Sequence, residues 1–299
     1  MDRIDGAVVD LTKNKKSLLR LAWWSALALL ASCQQTSEAD HHAELEALVR
    51  NLGVSGGPAV GSSQGFEPPQ MVAVDGGTFA MGSRSGDADE APVHNVTVGA
   101  LWVSATEITQ GQYAGLVGTN PSLFTGLDHP ADNVSWLDAV AYCNALSRRL
   151  GLFPAYSTGS DGAVAWDVDA SGVRLPTEAE WEWLARGGAS RKGSVAGWTN
   201  ETSGGTSHAV GVLPPNALGL YDMPGNVWEW CWDWYGPYSP EAQRRPVGPG
   251  TGTYRVGRGG TWALGPYAAR TTNRVELGTP GYHNPVAGFR VVRNGEVTP

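Results

Sequence analysis

Lysine is nearly missing from this 299-residue chain: Lys13, Lys15, Lys16 and Lys192 are all of it. Charged residues make up 17% of the sequence, against a usual ~25%. With a net charge of −8 and no basic stripe beyond the N-terminus, the chain lacks the clustered cations of a phosphate-backbone binder, so no nucleic-acid partner is expected. Cysteine occurs three times, in no zinc-like spacing with histidine. There is no P-loop, no dinucleotide-binding glycine fingerprint and no internal repeat. Long hydrophobic runs are missing too. The best one, Leu21–Ala31, is about eleven residues long, whereas a membrane span needs ~20.

Glycine (40), proline (19) and tryptophan (13, against 5 phenylalanines) are abundant instead. So many helix breakers exclude a long helical bundle, and an apolar fraction of 41% excludes disorder of the whole chain. A loop-rich domain anchored by tryptophans is expected. Basic residues before the short apolar run read as a secretory signal over residues 1–32. The run ends in Leu30-Ala31-Ser32-Cys33, which resembles a bacterial lipobox. That resemblance implies lipidation of Cys33, a membrane anchor and a place in the cell envelope, in the outer membrane facing the periplasm or the cell surface. Residues 33–68 read as a flexible tether, and the adjacent His41 and His42 as part of it.

From residue 69 to 295 the texture is that of a folded domain. Met71–Val74, Asp75-Gly76-Gly77 and Thr78–Met81 read as strand, turn, strand. Three capping boxes predict helices opening at Thr109, Ser135 and Thr177 and stopping at Gly118, before Gly151 and at Gly187-Gly188. Trp228, Trp230, Trp232 and Trp234 alternate with other residues, so an extended segment there carries one aromatic face. Cys143 and Cys231 either pair in an oxidising compartment or stay as free buried thiols; the sequence leaves both open. Glu178, Glu180 and Glu182 are explained by helix N-terminus charge and capping, and His94 and His129 by structural roles.

Eight blocks in order resemble the formylglycine-generating enzyme, or sulfatase-modifying factor, family over about residues 70–294. They run from Val72–Ser83 through Glu107–Gln110, Asn133–Cys143, Arg174–Glu182, Asn216–Met223, Gly225–Trp230 and Arg258–Trp262 to Gly288–Arg290. The resemblance implies an α+β, C-type-lectin-like fold of small twisted sheets, two main helices and much irregular structure. In the family, two cysteines after the Arg-Gly-Gly-Ser-Trp block hold copper and oxidise a substrate cysteine to formylglycine. Here those positions fall at Leu264 and near Ala269, so copper is not expected. The family disulfide from the helix cysteine, here Cys143, also lacks its partner, because Val291 follows Gly-Phe-Arg.

A structural calcium site is implied at Asp222, Gly225, Val227 and Glu229, while the family's other calcium site has no recognisable counterpart around 197–202. The family's peptide groove implies ligand contacts at Trp262, Arg270 and Asn273, with Tyr267, Arg274 and His283 nearby. The expected function is an exported lipoprotein that binds a peptide, protein or glycan, or assists another protein, on this scaffold. The alternative is an oxidoreductase of the family, acting on a protein or small molecule with other active-site residues.

Overall fold

A computed structural model describes residues 66–190, 193–194 and 196–295. The signal segment, Cys33, the two tether histidines and most of the tether lie outside the described residues. Two units divide the chain, Met1–Ser55 and Gly56–Pro299, and every described residue belongs to the second.

The first strands, β1 (Met71–Val74) and β2 (Gly77–Met81), do not form the expected hairpin. β1 pairs antiparallel with β4 (Leu101–Ser104), and β2 pairs antiparallel with β3 (His94–Val98), so they enter two different sheets. The glycines serve a close crossing instead of a two-residue turn. A Cβ on Gly76 would lie 2.6 Å from the Val98 carbonyl oxygen and from the Gly99 carbonyl carbon.

Each of the three helices opens where its capping box predicts. They are α1 (Gln110–Val117), α2 (Trp136–Arg149) and α3 (Glu178–Ala185). In each, the cap hydroxyl accepts an amide three residues on, and the residue there answers the cap amide. Gly118, Gly151 and Gly187 follow the helix ends with positive φ. A small hairpin joins α2 to α3, formed by β5 (Tyr156–Thr158) and β6 (Val164–Trp166).

The second half builds the largest sheet around β7 (Trp228–Trp234). Short β8 (Gln243–Arg244) runs parallel to β3 and closes the β2-β3-β8 sheet. The main sheet has the order β10 (Arg274–Gly278), β9 (Arg255–Arg258), β7, β11 (Ala287–Gly288), with β11 parallel to β7. The last strand, β12 (Val292–Asn294), pairs with β4, so the two ends of the described domain meet in one sheet. The result is α+β, in small sheets with few helices.

β7 is covered on both of its faces. Trp228 and Trp230 are buried, but so are Glu229, Cys231 and Asp233 between them. Trp234 and Trp136 sandwich the Arg255 guanidinium, 3.6 and 3.7 Å from the ring centroids. Cys143 and Cys231 are both buried and free, and do not pair. Among the described residues, no helix is long and apolar enough to cross a membrane.

Candidate functional site

All eight residues of α3 are buried, and its three carboxylates therefore need partners. Each finds its own arginine. Arg174 meets Glu180 through two hydrogen bonds of 2.7 and 2.8 Å. Arg274 does the same for Glu178, again at 2.7 and 2.8 Å. Arg258 pairs with Glu182, which also accepts from Arg186 and from the Gly82 amide. Burial alone would raise the Glu178 carboxyl; Arg274 and Arg258 outweigh it and hold the carboxyl below its ordinary range. A carboxylate fixed this way is a poor general acid or base. Helix charge and capping explain only part of these acids; ion pairing from distant strands explains the rest.

The implied calcium ligands gather around the turn before β7, where Glu229 is already paired with an arginine. Glu229 accepts from Arg290 Nε and Nη2 and from Trp181 Nε1, all at 2.7 Å. Arg290 is completely buried, so a guanidinium already neutralises this carboxylate. Asp222 Oδ2 accepts the Gly211 amide at 2.6 Å. Its Oδ1 and the Oε1 of the nearby Glu107 are buried and find no hydrogen-bond partner among the described residues. Burial, then the charges of Asp222 and Glu229, push the nearby Glu107 carboxyl well above its ordinary range. This group is a buried acid cluster in which Arg290 neutralises one carboxylate, that of Glu229.

The three implied ligand contacts divide. Trp262 is 3% exposed and sets its ring edge-on to Phe124, 5.3 Å between centroids. Its backbone amide donates to the Asn226 carbonyl. It is therefore a core residue, not a surface platform. Asn273 is buried too, and its side-chain amide donates to Asp87 at 3.2 Å. Arg270 pairs with the same Asp87 at 2.8 Å and with Glu90, while 37% of its side chain stays exposed. Arg270 and Asn273 thus come together by clasping the turn at 87–90. Nothing local in the sequence marks Asp87 and Glu90 for this; they precede their partners by some 180 positions.

Tyr267 lies open on the surface beside these residues, at 49% exposure. Leu264 and Ala268 are buried next to it. Arg274 belongs to the α3 ion pairs, and His283 Nε2 sits 3.0 Å from Asp138. His94 and His129 bond the Pro92 carbonyl and the Ser207 hydroxyl. Among the described residues no group of three or more His, Cys, Asp or Glu could hold a metal ion. Leu264 and Ala269 carry no donor side chain at all.

Residues 58–295 match the model of the sulfatase-modifying factor enzyme 1-like domain. The chain belongs to this family, that of the formylglycine-generating enzymes. It is 33% identical over 270 residues to "Chaperone protein LppX" of Paenibacillus barcinonensis, covering 75% of this chain and 89% of that one. Identity to the formylglycine-generating enzyme of Thermomonospora curvata is 31%, over 74% of this chain and 92% of the enzyme. A serine/threonine-protein kinase of Chlamydia pneumoniae, pkn1, is 35% identical over 75% of this chain, which spans only 38% of the kinase. Among solved structures, Treponema denticola variable protein 1 superposes with a TM-score of 0.70 at 32% identity, over 75% of this chain and 95% of that one.

Proposed function

We propose that this chain is an exported, lipid-anchored binding or accessory protein, built on the formylglycine-generating-enzyme scaffold without its copper oxidase chemistry. One observation carries the reading: no cysteine follows Cys231, and the family resemblance puts the copper thiolates at Leu264 and near Ala269. Copper(I) needs soft sulfur ligands, and neither side chain offers any donor. The remaining thiols give no substitute within the domain, since Cys143 and Cys231 are buried and separate. Two relatives support a role other than oxidation by their names alone, a chaperone and a variable protein. The surface that serves it is the one around Tyr267 and Arg270, which combines an exposed ring with a half-exposed guanidinium. The partner is a peptide, protein or glycan.

Copper(I) titration against a chelating competitor tests the missing oxidase site, using Cys33→Ala protein so that only domain thiols can contribute. The reading predicts no retained copper; one copper per chain held against the competitor contradicts it. The anchor has its own test. Cys33→Ala abolishes lipid labelling and releases the protein from bacterial membranes; unchanged membrane retention contradicts lipidation at Cys33.

A further inference from the structure

A cavity of about 340 Å³ opens beside the Glu178–Arg274 pair, between β7 and the loop at 236–249. Its apolar walls come from Met81, Pro237, Pro246, Val247 and Pro249. Five charged or titratable groups with different commitments line it: Glu178, Arg274, Asp233, His94 and Tyr238. Glu178 is taken up by Arg274 and by the Tyr238 hydroxyl, which donates at 2.9 Å. Arg274 spends its remaining donors on the carbonyls of Asp89 and Gly236.

Asp233 is different. It is 96% withdrawn from solvent, and its Oδ2 accepts the Glu178 amide at 2.8 Å, but no side chain pairs with it among the described residues. Gly248, with φ of 75°, leaves its carboxyl room: a Cβ there would lie 2.8 Å from Oδ1. His94 adds a second acceptor. Its Nδ1 lies 3.0 Å from the Pro92 carbonyl, which can only accept, so Nδ1 donates there and Nε2 is left without a partner among the described residues.

An uncommitted carboxyl and an unpartnered imidazole nitrogen in an apolar-walled cavity favour a ligand rich in donors. A hydroxyl brings one donor; an ammonium brings three and a charge that strengthens each bond to a carboxylate. We propose that this cavity binds a primary ammonium group carried on a short apolar stem. Burial, then the neighbouring Glu178, push the Asp233 carboxyl up to about 8, so the incoming ammonium takes the place of a proton held at neutral pH.

The test is a calorimetric titration of the protein with benzylamine, with benzyl alcohol and benzoate as controls. Benzylamine is expected to bind saturably, and the two controls at least about tenfold more weakly, as loss of one charge-assisted bond implies. Asp233→Asn weakens benzylamine by a similar factor. Val247→Trp, at the cavity's exposed rim, abolishes binding without altering Asp233, and keeps the test valid should Asp233→Asn fail to fold. No saturable benzylamine binding, equal binding of the alcohol, or undiminished binding by both variants overturns the proposal. A tripeptide Ac-Gly-Lys-Gly-NH₂ separates the sources of the ammonium: binding it as well marks a protein side chain as the ligand, and binding benzylamine alone marks a free amine.

Discussion

Arg290 grips Glu229 through two hydrogen bonds, Nε to Oε2 and Nη2 to Oε1, each 2.7 Å long. Both side chains are essentially withdrawn from water, and the same arginine reaches the carbonyls of Ser104 and Tyr221. One guanidinium thereby fastens the start of β7 to β4 and to the turn before Asp222. Breaking a buried pair by removing one partner leaves an uncompensated charge, which costs about 3–5 kcal/mol. Arg290→Gln is expected to lower unfolding free energy by that amount in a urea titration. A loss below about 1 kcal/mol, typical of a surface pair, contradicts this role.

Arg290 already neutralises Glu229, so chelation is expected to leave the domain untouched. A ligand that binds only the folded state raises its stability, so stripping a structural ion lowers the melting temperature. EGTA is predicted to shift the melting curve by less than the repeat error. A drop of several degrees, restored by added calcium, shows a cation site among these residues after all.

Exposure separates the arginines. Arg258 is completely buried against Glu182, whereas Arg270 keeps 37% of its side chain in solvent while pairing with Asp87. Arg258→Ala is expected to destabilise by about 3–5 kcal/mol, and Arg270→Ala by less, because solvent reaches its guanidinium even though the buried Glu90 loses its cation. High salt weakens the contribution of Arg270 and leaves that of Arg258 nearly unchanged. Equal losses at the two positions contradict the assignment of Arg270 to the surface.

Asp132 gives a pH dependence of definite sign. Burial pushes its carboxyl up to about 8, against ~3.9 in an unfolded chain. Between those values the folded protein holds a proton that the unfolded chain has released, so stability falls as pH rises, by at most about 1.4 kcal/mol per pH unit for this group. The contribution is complete below about 4 and gone above about 8. Asp233, with the same displacement and the same sign, adds to the slope. Asp132→Asn is expected to flatten the fall between pH 5 and 8, and the double variant with Asp233→Asn to flatten it further. An unchanged slope shows that neither carboxyl is protonated in the folded state.

What the sequence made legible was local. The caps at Thr109, Ser135 and Thr177 are settled within three residues of each position, so each helix starts where it should. The Asp75-Gly76-Gly77 segment misled because strand pairing is not local: Gly76 passes against Val98–Ala100, and only that encounter decides which sheet each strand joins. Ion pairing was hidden for the same reason. Glu178 and Arg274 are 96 positions apart, as are Trp230 and the Val134 carbonyl that its indole N–H reaches. The resemblance supplied the family and fold, but it placed Trp262 on a binding surface where the structure packs it against Phe124. Of the implied contacts, Arg270 alone keeps a solvent-facing side chain, and Tyr267 joins it.

Whether this scaffold oxidises a cysteine peptide separates a binding protein from an enzyme. The most direct measurement incubates the purified protein with a Cys-x-Pro-x-Arg peptide, copper and oxygen, and follows the peptide by mass spectrometry beside an active formylglycine-generating enzyme. With no cysteine after Cys231, the cysteine peptide is predicted to remain unconverted while the control enzyme consumes it. Formylglycine formed by this protein, above the copper-only background, contradicts the central claim.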